Sequence, residues 1–194
     1  MNVPVTRAAE GLDRRAFTIA DKERMVEVGV IGPDERLELL GGEIVPMSPK
    51  GAHNEVIRIA INLFWGRRYP PGYAFAAVPG LRLEERTYLE PDFIVFETSA
   101  DFPHLKGTEV LLVVEVADFS LSYDLGTKPL IYASFGVPEL WVIDASCRVI
   151  HRHLDPAPGV YTRIEQLGAA DRLVPAHAPA EFAFSLDEIG RRRG

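Results

Sequence analysis

Two short apolar runs, each bounded by a carboxylate, constrain this chain more than any other feature. Phe93-Ile94-Val95-Phe96 follows Pro91-Asp92, and Val110-Leu111-Leu112-Val113-Val114 runs into Glu115. Such unalternating runs are too short for buried helices and fit strands covered on both faces. Neighbouring strands of this kind point Asp92 and Glu115 into one cleft. Two carboxylates in a low-dielectric pocket raise each other's pKa, so they are hard to hold ionised without a cation. A hard divalent ion with oxygen ligands relieves that repulsion. Lys128, in the next polar turn, is placed to steady an attacking water or a leaving phosphate. The set suits phosphodiester hydrolysis. The same residues admit a structural alternative, with Glu115 in a buried ion pair with Lys128 or an arginine and Asp92 accepting backbone hydrogen bonds.

The 194 residues predict a single domain over 18–190, preceded by a loose segment 1–17 and followed by a basic tail 191–194. No apolar stretch approaches the roughly 18 residues a membrane span needs, and the arginine-bearing start lacks the apolar region of a signal peptide. Cys147 is the only cysteine, so an internal disulfide is excluded and a reducing cytoplasm is expected. Nothing around Cys147 is arranged to make it a nucleophile.

The net charge of −7 argues against a protein that coats DNA with a broad basic surface. Residues 1–70 carry ten Lys/Arg against ten Asp/Glu, so the deficit lies further along the chain. Phosphate contacts then fall to local clusters, with Arg14, Arg15, Arg67, Arg68 and Arg191 to Arg193 as candidates. The last three equally suit a solvated end.

Periodicity and punctuation give the elements. Thr18 and Asp21 form a capping-box pattern before a helix over about 19–29. Gly41-Gly42 joins two strand-like stretches in a tight hairpin. A longer helix is expected from Ala52 to Arg67, with Val56, Ile59, Ala60, Leu63 and Phe64 at helical spacing and Pro70-Pro71-Gly72 ending it. Strands are expected at 73–78, 81–86, 139–144, 149–154, 160–164, 172–174 and 182–184, with a helix over 126–135 and a last helical turn at 185–189. The residue before a proline is steered away from helical angles, which makes Lys128 the N-cap and Pro129 the first helical position. The fold class is α/β or α+β, a central mixed β-sheet flanked by helices with antiparallel hairpins at its periphery.

These residues, taken in order, resemble a known family. Leu37-Glu38-Leu39-Leu40-Gly41-Gly42-Glu43-Ile44-Val45, Ser48-Pro49 and His53 come first. Pro91-Asp92, Val113-Val114-Glu115-Val116, Lys128 with Tyr132, and Gly136-Val137-Pro138-Glu139-Leu140-Trp141-Val142-Ile143-Asp144 follow. The chain is similar to the Uma-type restriction endonucleases, a bacterial branch of the PD-(D/E)XK nuclease superfamily. The resemblance implies a restriction-endonuclease-like fold. It also implies a metal-binding Asp92, a second acidic ligand at Glu115 and an extra ligand in the Val116 carbonyl.

The superfamily's lysine sits two residues after the second acid, where this chain has Ala117. The resemblance then shifts that role to Lys128 on the following helix. Glu43 corresponds to an additional acid from an early element, and His53 and Tyr132 are candidates for support around the site. The structural alternatives are an exposed strand residue for Glu43, a helix cap or surface residue for His53 and core packing for Tyr132. Asp118, near a position where the family tends to carry serine, either adds charge by the metal or makes a turn. His151 and His153 alternate on one strand face, a pattern a weak surface metal site would share, but that reading is discounted. Trp65 and Trp141 read as core or dimer-surface aromatics.

The implied activity is DNA cleavage by a magnesium- or manganese-dependent endonuclease. A homodimer is expected, because cutting both strands takes two sites. Two alternatives stay open: a catalytically inactive binding or regulatory module on the same fold, favoured by the acidic balance and the missing lysine, or a hydrolase of small phosphate esters.

Overall fold

The computed structural model describes residues 15–32, 34–47 and 51–190. Arg14, the Ser48-Pro49-Lys50 loop, the basic tail and nearly all of the segment 1–17 lie outside the described residues. The chain divides into two compact units, 1–47 with 84–88, and 48–83 with 89–194.

In the first unit, α1 (Ile19–Glu27) opens with the capping box its sequence announces. The Thr18 hydroxyl accepts from the Asp21 N–H at 3.0 Å, and Asp21 Oδ2 accepts from the Thr18 N–H at 2.9 Å. Those bonds, first of all the one from the Thr18 backbone, hold the Asp21 carboxyl below its usual range. β1 (Leu37–Leu40) and β2 (Glu43–Pro46) pair antiparallel, with Leu40 opposite Glu43. The link is Gly41-Gly42 at φ +57° and +91°, a conformation that disfavours side chains at both turn positions. Tyr88 of β5 (Thr87–Leu89) pairs with Leu39. This strand, which follows β4 (Leu81–Glu84) after two residues, is one the sequence pattern does not single out.

The second unit is built on a six-stranded sheet in the order β10-β9-β8-β7-β6-β3. Its strands are β3 (Tyr73–Ala77), β6 (Phe93–Glu97), β7 (Val110–Ala117), β8 (Glu139–Asp144), β9 (Val149–Ala157) and β10 (Val160–Leu167). β7 and β8 are parallel, linked through α3 (Leu121–Ser134), and the other neighbours are antiparallel. Every residue of β8, and of β7 all but Leu111, is buried, as central strands covered on both faces require.

On one face Ile57, Ile61 and Trp65 of α2 (Ala52–Trp65) pack with Phe93, Val95, Val114, Val116, Trp141 and Ile143. Leu186 of α4 (Leu186–Gly190) joins the same core. Trp65 is the centre of that face. Its ring meets Phe75, Phe93 and Phe182 edge-on at 5.3–5.6 Å, and its Nε1–H donates to the Phe182 carbonyl at 2.9 Å. Trp65→Ala is expected to cost about 4 kcal/mol of unfolding free energy, through lost burial and an uncollapsed cavity. The midpoint of denaturant unfolding measures it.

The α2 periodicity misassigns the inward face. Val56, Ile59 and Leu63 are 66%, 51% and 53% exposed, while Asn54, Ile57, Ile61 and Trp65 are buried. Apolar residues lie all around this helix, so spacing alone does not choose a side. Trp65 fits only the deep position, and two polar residues, Asn54 and Arg58, accompany it inward. The proposed strands at 172–174 and 182–184 shrink to one bridge, Leu173 to Phe184, because prolines 175 and 179 remove ladder donors and 180–182 turns as a 3-10 helix. The last hairpin is longer than its sequence suggests. Glu139–Leu154 is the final β8–β9 pair, so Pro156 pairs only towards β10 and its missing N–H costs nothing on the β8 side.

His153 of β9 is 3% exposed, and neither ring nitrogen has a hydrogen-bond partner. Its ring meets Tyr161 edge-on at 5.6 Å. Burial, helped by nearby His151, lowers its pKa to about 4. The folded state thus binds this proton more weakly than the unfolded chain does. The associated stability is complete above about pH 6.5 and declines as pH falls from there towards 4. The expected loss is on the order of 2 kcal/mol after allowance for residual solvent. Comparing melts of the wild type and His153→Phe between pH 7.5 and 4.5 isolates it: the wild type should lose stability relative to the variant as pH falls, and a constant difference would refute the assignment.

Candidate active site

The site is assembled where β6 begins and β7 ends. Phe93 pairs with Val114, so continuing the antiparallel register sets Asp92 beside Glu115. β7 does not stop at Glu115 as its apolar run suggests but continues to Ala117. Side chains alternate along it, so Val114 and Val116 enter the α2-side core while Glu115 turns to the opposite face, where α3 lies.

There Glu115 Oε1 accepts from Lys128 Nζ at 2.9 Å and from Tyr132 Oη at 2.7 Å. The two donors come from successive turns of α3, four residues apart on one side. Lys128 Nζ also lies 3.2 Å from Asp124 Oδ1, another four-residue step on that helix. Ser120 at the N-cap donates to the other Asp124 oxygen.

This geometry corrects the expected start of α3. The helix begins at Leu121, so Lys128 and Pro129 lie inside it rather than at its N-terminus. Pro129 removes the backbone donor that would reach back one turn and disfavours helical angles at Lys128. Side-chain anchorage of Lys128 to both Glu115 and Asp124 holds the chain in place there.

Asp92 is gripped differently. The Val116 N–H donates to its Oδ2 at 2.8 Å, and Arg58 Nε of α2 lies 2.8 Å from its Oδ1. The latter contact has ion-pair distance but not hydrogen-bond alignment, since Arg58 Nε is buried without a hydrogen-bond partner. One turn earlier, the Asn54 side-chain amide donates to the Val116 carbonyl. That occupies one lone pair of the oxygen expected as a metal ligand. Gly51, ahead of α2, carries no side chain because a Cβ there would meet Asp118 Oδ2 at 2.0 Å. The Asp118 carboxylate thus sits against the α2 N-terminus, where the helix dipole favours it, and it also accepts from the Ser146 hydroxyl at 2.9 Å.

Asp92, Glu115, Asp124 and Lys128 are each 5% exposed or less, and Tyr132 is fully buried. Burial raises the Asp124 carboxyl above its usual range, opposed mainly by the charge of Lys128, with Asp92 adding a smaller push upward. Among the described residues, no three His, Cys, Asp or Glu side chains converge as a ready-made metal cage. Two carboxylates with hard oxygens suit magnesium nonetheless, since that ion keeps several waters and commonly takes one or two carboxylates plus substrate phosphate.

Of the residues singled out in the sequence, the structure gathers Asp92, Glu115, Val116, Lys128 and Tyr132. His53 on α2 is mostly exposed, with Nδ1 3.7 Å from Asp118 Oδ2. Glu43 heads β2 in the first unit and is exposed. The sequence reading overlooked Asn54, Arg58 and Asp124. Asn54 and Arg58 carry a signal in retrospect, polar residues four apart beside Ile57 and Ile61, and Asp124 stands one helical step before Lys128. The structural alternative, a Glu115–Lys128 ion pair with Asp92 accepting a backbone hydrogen bond, is also present.

Residues 21–187 match the Uma2 family, described as "Putative restriction endonuclease". Among solved structures, the chain is similar to a protein of Anabaena variabilis ATCC 29413 described as "a putative nuclease belonging to DUF820". The two share 16% identity over 84% of this chain and 94% of the other, with a TM-score of 0.62, a likeness of fold. A search of curated proteins finds no match.

Proposed function

Starting from the fact that the chain belongs to the Uma2 family, we propose that it is an endonuclease that hydrolyses phosphodiester bonds in DNA with a magnesium or manganese ion held by Asp92 and Glu115. The observation that carries this reading is the meeting of Asp92, Glu115 and Lys128, from three elements, in one buried spot at the ends of β6 and β7. Burying three carboxylates beside a lysine and an arginine is poor economy for stability alone, since matched apolar side chains commonly do as well or better. Perturbed, buried charge of this kind concentrates at sites that do chemistry.

A bound ion would acidify its water and polarise the scissile phosphate. The chain's own groups do the rest. The Val116 N–H and Arg58 fix the Asp92 carboxylate, and Tyr132 fixes the rotamer of Glu115. Lys128 keeps an ammonium beside Glu115, from which it donates to a phosphate oxygen or orients the attacking water. The Val116 carbonyl, steadied by Asn54, is a further ligand candidate and His53 a distant support. Cleavage of both strands would need two such sites, hence a homodimer. In the described residues no helix is long and apolar enough to cross a membrane.

Purified protein should nick or linearise supercoiled plasmid with magnesium or manganese and not with EDTA. Metal-dependent turnover of a chromogenic phosphodiester with no effect on plasmid would favour the small-ester hydrolase. Folded protein that cleaves neither substrate would favour an inactive module.

A further inference from the structure

In the chemistry above Arg58 only helps to fix the Asp92 carboxylate, yet it is a cation in direct contact with that carboxylate. Its side chain is 13% exposed, against 7% for the Asp92 side chain, so little water screens the pair. The guanidinium reaches Asp92 through Nε, while Nη1 is held at 2.9 Å by Glu55, itself 53% exposed and one turn back on the same helix. Arg58 is thereby fixed at both ends. It meets Asp92 off the line of a hydrogen bond, so the contact is mainly coulombic and a competing cation forfeits little directed bonding by weakening it. Arginine stays protonated throughout the physiological range, so this positive charge does not switch off.

We propose that Arg58 is a positioning residue that acts as a resident counter-ion of Asp92 and limits the affinity of the site for divalent metal. Any ion drawn to Asp92 Oδ1 arrives beside a fixed guanidinium, and the like-charge repulsion in this poorly screened place subtracts from its binding. The benefit of such a device is order: Asp92 stays in one rotamer, ready for a metal that arrives with its phosphate ligand. An anionic phosphodiester brings charge that offsets both cations, so metal and substrate should bind more tightly together than apart. This inference rests on Asp92 being a metal ligand.

Calorimetric titration of manganese into the full chain separates the inference from that reading, with Arg58→Gln, Arg58→Lys and Asp92→Asn measured beside the wild type. Arg58→Gln is expected to bind manganese about tenfold more tightly than the wild type and to gain more in melting temperature from it. Arg58→Lys, which keeps the charge, should stay within about threefold of the wild type on the same coulombic ground. Should Arg58→Gln unfold without metal, manganese ought to restore its circular dichroism, since the ion replaces the lost counter-charge. Equal or weaker manganese binding by Arg58→Gln, or an unfolded variant that manganese does not rescue, overturns the inference while leaving the metal site standing. No saturable binding by the wild type or Arg58→Gln, or binding that Asp92→Asn leaves unchanged, overturns the metal reading and the inference with it.

Discussion

Glu115→Gln is expected to lower metal-dependent plasmid cleavage by about a thousandfold or more, equivalent to ~4 kcal/mol of transition-state stabilisation. The substitution keeps the size of the side chain and an oxygen that can still accept from Tyr132. It removes the charge that a metal and Lys128 both need. A neutral amide is a far weaker ligand for a hard divalent ion, and the loss should appear in kcat as well as in the metal concentration for half-maximal rate. Stability should fall by only about 2 kcal/mol, because Lys128 retains Asp124 at 3.2 Å as counter-ion. Melting curves with and without manganese separate the two effects: the folded variant should show little metal-induced stabilisation. Wild-type cleavage by Glu115→Gln would remove Glu115 from the mechanism.

Lys128→Met should harm both fold and activity. The residue is 2% exposed and its ammonium serves Glu115 and Asp124 together. Replacing it with an apolar chain of similar length leaves two buried carboxylates facing each other without that charge. Breaking a buried pair from one side costs about 3–5 kcal/mol. Asp124, already raised by burial, loses the lysine that opposes the shift and should rise further.

The sign follows. A carboxyl raised in the folded state takes up a proton more readily there than in the unfolded chain, so its stability penalty shrinks as pH falls. The deficit of Lys128→Met relative to wild type should therefore be smaller at pH 5 than at pH 8. Activity should fall by about a hundredfold or more, as for loss of one charged donor in a dry site. A purely structural lysine would show the stability loss, with activity per folded molecule unchanged.

Much of this was legible in the chain. The runs 93–96 and 110–114 announce central strands because burial on both faces removes alternation, and the carboxylates at their ends stand out against that background. Gly41-Gly42 and the Thr18/Asp21 box are local devices, settled by a few neighbouring residues, and they form as written. What depends on long-range contact was not legible. The inward face of α2 is chosen by where Trp65 fits among Phe75, Phe93 and Phe182, which no helical spacing encodes. The start of α3 is set against the preference of Pro129 by an ion pair to β7, thirteen positions away from Lys128. Arg58 escaped notice for the same reason: its partner Asp92 belongs to another element of the sheet.

The most direct test of the site is plasmid cleavage by wild type, Asp92→Ala and Glu115→Ala, each shown to be folded, in EDTA, magnesium and manganese. Metal-dependent nicking by the wild type that disappears in both variants is the predicted result. Metal-dependent nicking that survives either substitution would contradict the assignment of these two carboxylates as the metal ligands of a nuclease.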